Sequence, residues 1–256
     1  MWIFLDGFPD FSKIFSILVK LGEFSVLVMI QKGRNGLVRR TRGLPKFRGS
    51  PSCQGREGDA PGSMPWQTLV CHPAFPAPGV WRLRVRLAWA GDGALKLDYR
   101  LMAPRRALSM PTRTNPGRQD GLWRHSCCEA FIGLPGKTCY REFNFSPSGA
   151  WALYDFADER VPLPLPPLEG QGDAPGVQCE RRRHTWRLRA RIPPDLLPQR
   201  QPGGALLLGL AAVVEDQQGG LTYWALVHPR PQPDFHHPEG RVLTWSGPIR
   251  QPRTGR

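Results

Sequence analysis

Carboxyl groups that could act together lie in residues 120–160, a segment in which polar and aromatic side chains alternate. Glu129 and Glu142 fall on neighbouring predicted strands. Two carboxyl groups at a suitable separation can cleave a glycosidic bond. The sequence does not give this separation, and both side chains could instead face solvent. Because no convincing acid–base pair or activated nucleophile emerges, we predict no catalytic residues and a protein that is not an enzyme.

Histidines and cysteines suggest metal chemistry only weakly. His228, Asp234, His236 and His237 share one loop, and Asp-x-His spacing can converge on a cation. Because the cluster lies on a single loop, we interpret it structurally, with Asp234 capping a turn and a histidine bonding the backbone. The six cysteines form no CxxC motif, which argues against zinc, and we predict no metal ligands.

Part of the basic charge of the chain comes from arginines that alternate with apolar residues. The formal net charge is +14, which by itself is compatible with nucleic acid or an acidic membrane surface. Arginines alternate with apolar residues, however, within the segments 82–86 and 187–191. This pattern indicates the solvated faces of two strands, and only residues 181–183 form a true run. We therefore predict no nucleic-acid partner.

The first 63 residues differ in composition from the rest. They hold four of the six lysines and half of the 12 phenylalanines, and residues 33–63 show no periodicity. Their longest charge-free run, Phe24 to Gln31, is too short to span a bilayer, so no transmembrane segment is predicted. We predict a poorly structured leader over residues 1–63, with Met64 as the true start. A flexible basic leader with a weakly helical tip is the alternative.

No secretory signal is visible, so we expect the cysteines to be reduced thiols and the protein to be cytoplasmic. The remaining chain is divided into one domain over residues 64–250 and a disordered tail over 251–256.

Apolar residues of the main domain repeat with a period of two, which predicts half-buried β-strands. Trp81, Leu83 and Val85 alternate with arginines, and a Gly-Asp-Gly turn at 91–93 links this strand to the next. The segment Ala205 to Val214 is almost entirely apolar, so we predict a central strand buried on both faces. About nine such strands indicate an all-β sandwich or barrel.

The segment 120–160, and above all its string EFNFSPSGAWALYDF, resembles the bacterial DOMON-like family. Further similarities are His72-Pro73, the strand end Trp224 to Pro229, and the PDFHH string at 233–237. The resemblance extends over roughly residues 66–246 and departs at Cys128, where an aromatic is usual, and at residues 157–159.

This family is related to family-9 carbohydrate-binding modules and to haem-binding DOMON domains. The resemblance implies an immunoglobulin-like or jelly-roll-type antiparallel β-sandwich of about nine strands. Its wider relatives bind sugars or haem b, whereas the bacterial subset has no assigned activity.

For a sugar, flat aromatic rings would stack on pyranose C–H surfaces while polar side chains bond hydroxyls. Trp123 is the best stacking candidate because it lies in a loop before a strand, although most strand tryptophans belong to the core. We predict that Trp123, Arg124, His236 and His237 border one concave surface at one end of the sandwich. The predicted ligand-binding residues are Trp123, Arg124, Glu129, Asn144, Trp151, Tyr154, His236 and His237.

Two other functions stay open beside non-catalytic carbohydrate binding. A haem-b electron-transfer module would need two axial ligands, for which Met102, Met110 and the histidines 125, 228, 236 and 237 are available. A structural or partner-binding domain would need no small ligand. In the favoured interpretation the protein has no cofactor.

Overall fold

The computed structural model describes residues 14–21, 24–33, 36–39, 62–104, 106–113, 116–164, 174–201 and 203–247. The chain divides into two compact units, Met1–Glu57 and Gly58–Arg256. In the first unit, β1 (Ile14–Leu21), β2 (Phe24–Gly33) and β3 (Gly36–Arg39) form an antiparallel sheet in chain order.

Sequence analysis did not predict these three strands. The signal is present, since β-branched and aromatic residues are frequent in Ile14–Leu21 and Phe24–Gly33, and only two residues separate the two strands. That residues 1–63 form a leader, with the true start at Met64, stays a prediction. The rest of this segment and the tail 251–256 lie outside the described residues.

The second unit consists almost entirely of β-strands. Its described strands are β4 (Gln67–Cys71), β5 (Arg82–Trp89), β6 (Leu95–Met102), β7 (Leu108–Ser109), β8 (Cys127–Gly133), β9 (Tyr140–Phe145), β10 (Trp151–Asp158), β11 (Val161–Leu163), β12 (Gly176–Arg181), β13 (Thr185–Ile192), β14 (Ala205–Asp216), β15 (Leu221–Ala225) and β16 (Leu243–Ser246). Four of these 13 strands were not among the predicted nine, namely β4, β7, β11 and β12, and β7 and β11 are only two and three residues long.

The strands build two antiparallel sheets joined through β4. The first sheet has the order β4-β5-β6-β13-β12, and the second has the order β11-β10-β9-β8-β14-β15-β4, with β7 and β16 also paired to β14. Gln67–Leu69 pair with β5, whereas Val70 and Cys71 pair with β15. One strand therefore belongs to both sheets, and the predicted all-β antiparallel sandwich is confirmed.

The core lies between the sheets and follows the period-two pattern. Leu83, Val85 and Leu87 point inward from β5, each at most 1% exposed, while the arginines between them point outward. On β14, residues 208–214 are all buried, and β14 pairs with β8 on one side and β15 on the other. The prediction of a central strand buried on both faces is confirmed.

The outer face of the second sheet is also covered. Leu122 packs there against Cys127 and Ala152 at one end of the strands. At the other end, Phe131 and Tyr140 form a second cluster, against which Phe235 packs. Two loops thus close the ends of a sheet face that in many sandwiches faces water, and polar side chains lie between them.

The outer face of the first sheet carries a shared arginine cluster. Both β5 and β13 pair with β6, so that Arg84, Arg100 and Arg187 form one row across three strands. Arg187 donates two hydrogen bonds to Asp98, of 2.8 and 2.7 Å, and the ring of Trp66 lies 4.6 Å from the guanidinium carbon of Arg84. The arginines of segments 82–86 and 187–191, predicted to form the solvated faces of two strands, therefore lie on one sheet face with the Asp98 carboxylate at its centre.

Candidate functional site

Three polar side chains lie in the middle of the outer face of the second sheet. Glu129 on β8 is the direct cross-strand partner of Asn144 on β9, and Glu142 stands two residues from Asn144 on the same face. We call Glu129, Glu142 and Asn144 the polar trio. Their exposed fractions are 3, 5 and 0%. The predicted placement of Glu129 and Asn144 on adjacent strands agrees with this geometry.

Hydrogen bonds within the trio leave one carboxylate oxygen unsatisfied. The Asn144 amide donates to Glu142 Oε1 over 2.6 Å, and the Cys127 thiol donates to Asn144 Oδ1 over 3.5 Å. Glu129 Oε1 is buried and has no hydrogen-bond partner among the described residues. Because a buried acceptor without a donor costs about 1–3 kcal/mol, this oxygen marks a position where a ligand could donate.

Burial changes the protonation of both carboxyl groups. It raises the pKa of Glu142 to about 7, although the hydrogen bond from Asn144 and the charge of Arg160 oppose the shift. Burial, reinforced by the charge of Glu142, raises the pKa of Glu129 well above its ordinary value. The two groups therefore retain at least one proton near neutral pH, and their titrations are linked.

The loop 226–241 covers the trio from one side. His236 packs against Phe131, Tyr140 and Phe156, and its Nδ1 shares a 2.7 Å hydrogen bond with the Tyr140 hydroxyl. Its Nε2 lies 3.7 Å from Glu142 Oε2. Burial and the nearby Arg160 lower the pKa of His236 to about 4, so the imidazole is neutral at physiological pH.

Asp234 holds this loop in place. It accepts hydrogen bonds from the His236 backbone amide (3.1 Å) and from the guanidinium groups of Arg160 (2.9 Å) and Arg230 (2.7 Å). His228 bonds the Val70 carbonyl over 2.8 Å. The structural interpretation of Asp234 and a histidine is confirmed. Within the described part of the chain, no three metal-ligating side chains cluster.

The segment 120–124 covers the trio from the other side. Trp123 belongs to a single 3₁₀ turn, Leu122–Arg124, and is 49% exposed, with the Arg124 guanidinium 5.2 Å from its ring centre. The Tyr154 hydroxyl donates to Asp120 over 3.0 Å, and Tyr154 is the cross-strand partner of Glu142. A half-buried phenol therefore stands beside Glu142, and it is hydrogen-bonded to the segment that carries the exposed indole.

The predicted grouping of Trp123, Arg124 and the two histidines at one end of the sandwich is wrong. Trp123 lies before the first residue of β8, at one end of the sheet. His236 contacts Phe131 near the end of β8 and Tyr140 at the start of β9. These two residues lie at the other end of the sheet, because β8 and β9 are antiparallel. Seven residues of β8 correspond to roughly 20 Å. Both loops nevertheless flank one sheet face, and the polar trio lies between them.

Two predicted site residues have other positions. Trp151 is 6% exposed and belongs to the core between the sheets, where no ligand ring could stack on it. His237 accepts a hydrogen bond from the Glu239 amide and caps the short turn Pro238–Gly240. Sequence reasoning missed Tyr140, although its period-two spacing from Glu142 and Asn144 places it on the same face.

Other described features bear on the sequence predictions. Cys71, Cys127, Cys128, Cys139 and Cys179 are free thiols. In the described ranges, no helix is long and apolar enough to cross a membrane.

No family model matches the chain, and no curated protein does. One solved structure of similar fold is a proposed carbohydrate-binding protein from Bacteroides uniformis, with a TM-score of 0.49 and 19% identity, covering 71% of this chain and 85% of that chain. Another is a family 9 carbohydrate binding module from Caldicellulosiruptor kristjanssonii in complex with cellotriose, with a TM-score of 0.42 and 11% identity, covering 62% and 70%. At these values the likeness does not assign this chain to either family.

Proposed function

We propose that the second unit is a non-catalytic carbohydrate-binding domain whose ligand reaches the polar trio on the outer face of the second sheet. The observation that carries this proposal is Glu129 Oε1, a buried acceptor with no donor among the described residues. A sugar hydroxyl supplies such a donor. The neighbouring Asn144 and Glu142 offer both acceptor and proton-bearing groups, which suits hydroxyls that donate and accept.

Aromatic side chains next to the trio support a sugar over other polar ligands. Trp123 presents nearly half of its surface to solvent on a turn anchored by buried Leu122. Tyr154 lies between this turn and Glu142. A flat ring beside hydrogen-bonding groups matches the amphipathic surface of a pyranose, and a rigid sheet holds the groups in place.

Hydrolysis is the second candidate, because the pKa of Glu142 near 7 suits a general acid and Glu129 lies close by. In glycoside hydrolysis, however, the two carboxyl groups flank the bond that breaks. Glu129 and Glu142 project in the same direction from adjacent strands of one sheet. This arrangement favours binding over bond cleavage.

The haem-b alternative gains no support from the described contacts. His125, His228 and His236 each engage a protein group, namely Glu215, the Val70 carbonyl and the Tyr140 hydroxyl. A partner-binding domain without a small ligand remains the third possibility, which a failure of glycan binding would favour.

A glycan array followed by calorimetry tests the proposal with two matched tryptophan variants. Trp123→Ala should weaken glycan binding by about fivefold, because stacking contributes on the order of 1 kcal/mol. Trp81→Ala serves as the control, since Trp81 is also exposed (58%) but precedes a strand of the first sheet. Equal effects of both variants, or no glycan binding by the full chain, would refute the proposal. Release of shortened glycans during incubation would instead support hydrolysis.

A further inference from the structure

We infer that the sugar recognised at the polar trio is an amino sugar, whose ammonium group binds between Glu129 and Glu142. This inference rests on the proposed function and specifies its ligand class. It starts from two buried carboxyl groups that share a small area, neither of which has an arginine or lysine within 4.0 Å among the described residues.

Other acidic side chains in the unit do have such partners. Asp155 binds Arg141 through two hydrogen bonds of 2.5 and 2.6 Å, and Asp98 binds Arg187. Even the more exposed Glu180 is paired, with Arg189. Among the described residues, the only ion-pair contact of Glu142 is with His236, whose lowered pKa leaves it neutral. Without a paired cation, burial favours the protonated form of both carboxyl groups, and a bound cation would favour their ionised form.

Nearby cations are held by other groups. Arg160 donates to Asp234, and the guanidinium of Arg241 lies 4.4 Å above the ring of Tyr140. Neither is an ion-pair partner of the trio. The titratable and charged groups around the two carboxyl groups, among the described residues, include Tyr99 of β6, Cys127 and Cys128 of β8, Tyr140 of β9, Tyr154 of β10, Arg160 after β10, and Asp234, His236 and Arg241 of the covering loop.

An ammonium group fits this set chemically. It carries three N–H donors and no acceptor, and an ionised carboxylate is an acceptor only. Glu129 Oε1 offers an unused acceptor, and Glu142 Oε2 has only the long contact to His236. When the ammonium binds, the proton held by the carboxyl pair is released to solvent, and the ammonium charge then balances the charge of the ionised carboxylate. A neutral sugar could satisfy Glu129 Oε1 but would not displace this proton.

The experiment compares three trisaccharides that differ only at the C2 substituent, namely β-1,4-linked glucosamine, N-acetylglucosamine and glucose. Isothermal titration of the full chain at pH 5.5, where the glucosamine amines are already protonated, measures affinity and protons released in two buffers of different ionisation enthalpy. We expect glucosamine trimer to bind at least tenfold more tightly than the other two, with proton release seen only for this ligand. Glu142→Gln should abolish both the preference and the release.

The ligand series needs no variant, so a folding defect in Glu142→Gln would not leave the inference untested. Equal affinity for the glucosamine and glucose trimers would overturn the amino-sugar inference while leaving carbohydrate binding in place. If none of the three binds but other glycans do, the inference also fails. If no glycan binds at all, the proposed function fails with it. Tighter binding of Ca²⁺ alone, with loss of the trisaccharide preference, would make the trio a metal site and refute the inference.

Discussion

Glu142 illustrates how position changes the chemistry of a single residue. Glutamate is an ordinary outward residue on a strand, but here the face that it occupies is covered by two loops, and only 5% of the residue is exposed. Its carboxyl group therefore titrates near neutral pH, in contact with Asn144 and close to His236. The free energy of unfolding should therefore change with pH as this carboxyl group titrates.

The raised pKa of Glu142 predicts a loss of stability on going from acidic to neutral pH. The folded state favours the neutral carboxyl, so the stabilisation is complete below the unfolded pKa of 4.5 and is lost as pH rises through about 7. The loss is on the order of 3 kcal/mol. Thermal melts from pH 4.5 to 8 should show this decline, and Glu142→Gln should make it shallower, with Glu129 responsible for the remainder.

Glu180→Gln provides the control for this measurement. Glu180 also lies on a strand but is exposed, and its hydrogen bond and ion pair with Arg189 lower its pKa. Removing its charge should leave the decline between pH 4.5 and 7 unchanged. A wild-type stability that rises over this interval would contradict the assignment of a protonated pair.

At the scale of strands, close packing between β14 and the covering loop positions His236. A Cβ atom at Gly209 would lie 3.0 Å from the Gly240 carbonyl oxygen and 3.2 Å from Arg241 Cγ. The absence of a side chain at this point of β14 lets the loop approach the sheet. The site therefore depends on a residue that touches no ligand.

We expect Gly209→Ala to lower the free energy of unfolding by about 1–3 kcal/mol, because overpacking must displace the loop. Sugar binding should weaken as His236 moves away from Glu142. Gly91→Ala is the matched control, since a Cβ at Gly91 meets no atom within 4 Å. Denaturant melts of both variants measure the difference, and identical midpoints would show that the loop is not held at this contact.

The arginine face of the first sheet depends on one carboxylate. Asp98 lies 3.7 and 3.6 Å from the guanidinium groups of Arg86 and Arg100, in addition to its hydrogen bonds with Arg187. Asp98→Asn should destabilise the fold by about 1–3 kcal/mol, since charged hydrogen bonds are lost and arginine repulsion is left uncompensated. Added salt should recover part of the loss by screening. Lys96→Gln on the same strand should have little effect and serves as the control. If added salt does not change the destabilisation by Asp98→Asn, repulsion between the arginines is not its cause.

On the scale of the whole chain, β4 joins the two sheets. The backbone already pairs with β5 just before this strand, through the Ser63–Ala88 bridge and a 2.9 Å hydrogen bond from Met64 N to the Leu87 carbonyl. A fragment of residues 58–256 should therefore melt within a degree or two of the full chain and retain ligand binding.

A second fragment, residues 72–256, lacks β4 and should lose cooperative unfolding, because both sheets lose a paired strand. The leader hypothesis, which covers residues 1–63, likewise predicts that limited proteolysis removes this segment without lowering the melting temperature. A drop of several degrees for the 58–256 fragment would show that the first unit stabilises the second, and would refute the leader hypothesis.

The amino-acid pattern alone was sufficient for the all-β class, for the inward residues of β5 and for the two-sided burial of β14, whereas the choice of a sandwich over a barrel came from the family resemblance. It also placed Glu129 and Asn144 on adjacent strands. These features follow from local rules, since side chains alternate across a strand and a continuously apolar strand must be buried on both faces. The turn role of Asp234 was equally local.

Long-range pairing determined the rest. Strand order decides three features of the fold. It places Trp151 in the core, Trp123 and His236 at opposite ends of one face, and the two arginine series on either side of β6. The pKa values of Glu129 and Glu142 depend on loops from distant parts of the chain that cover the sheet. A period of two identifies residues that share a face, but what covers that face is decided only when segments far apart in sequence pack together.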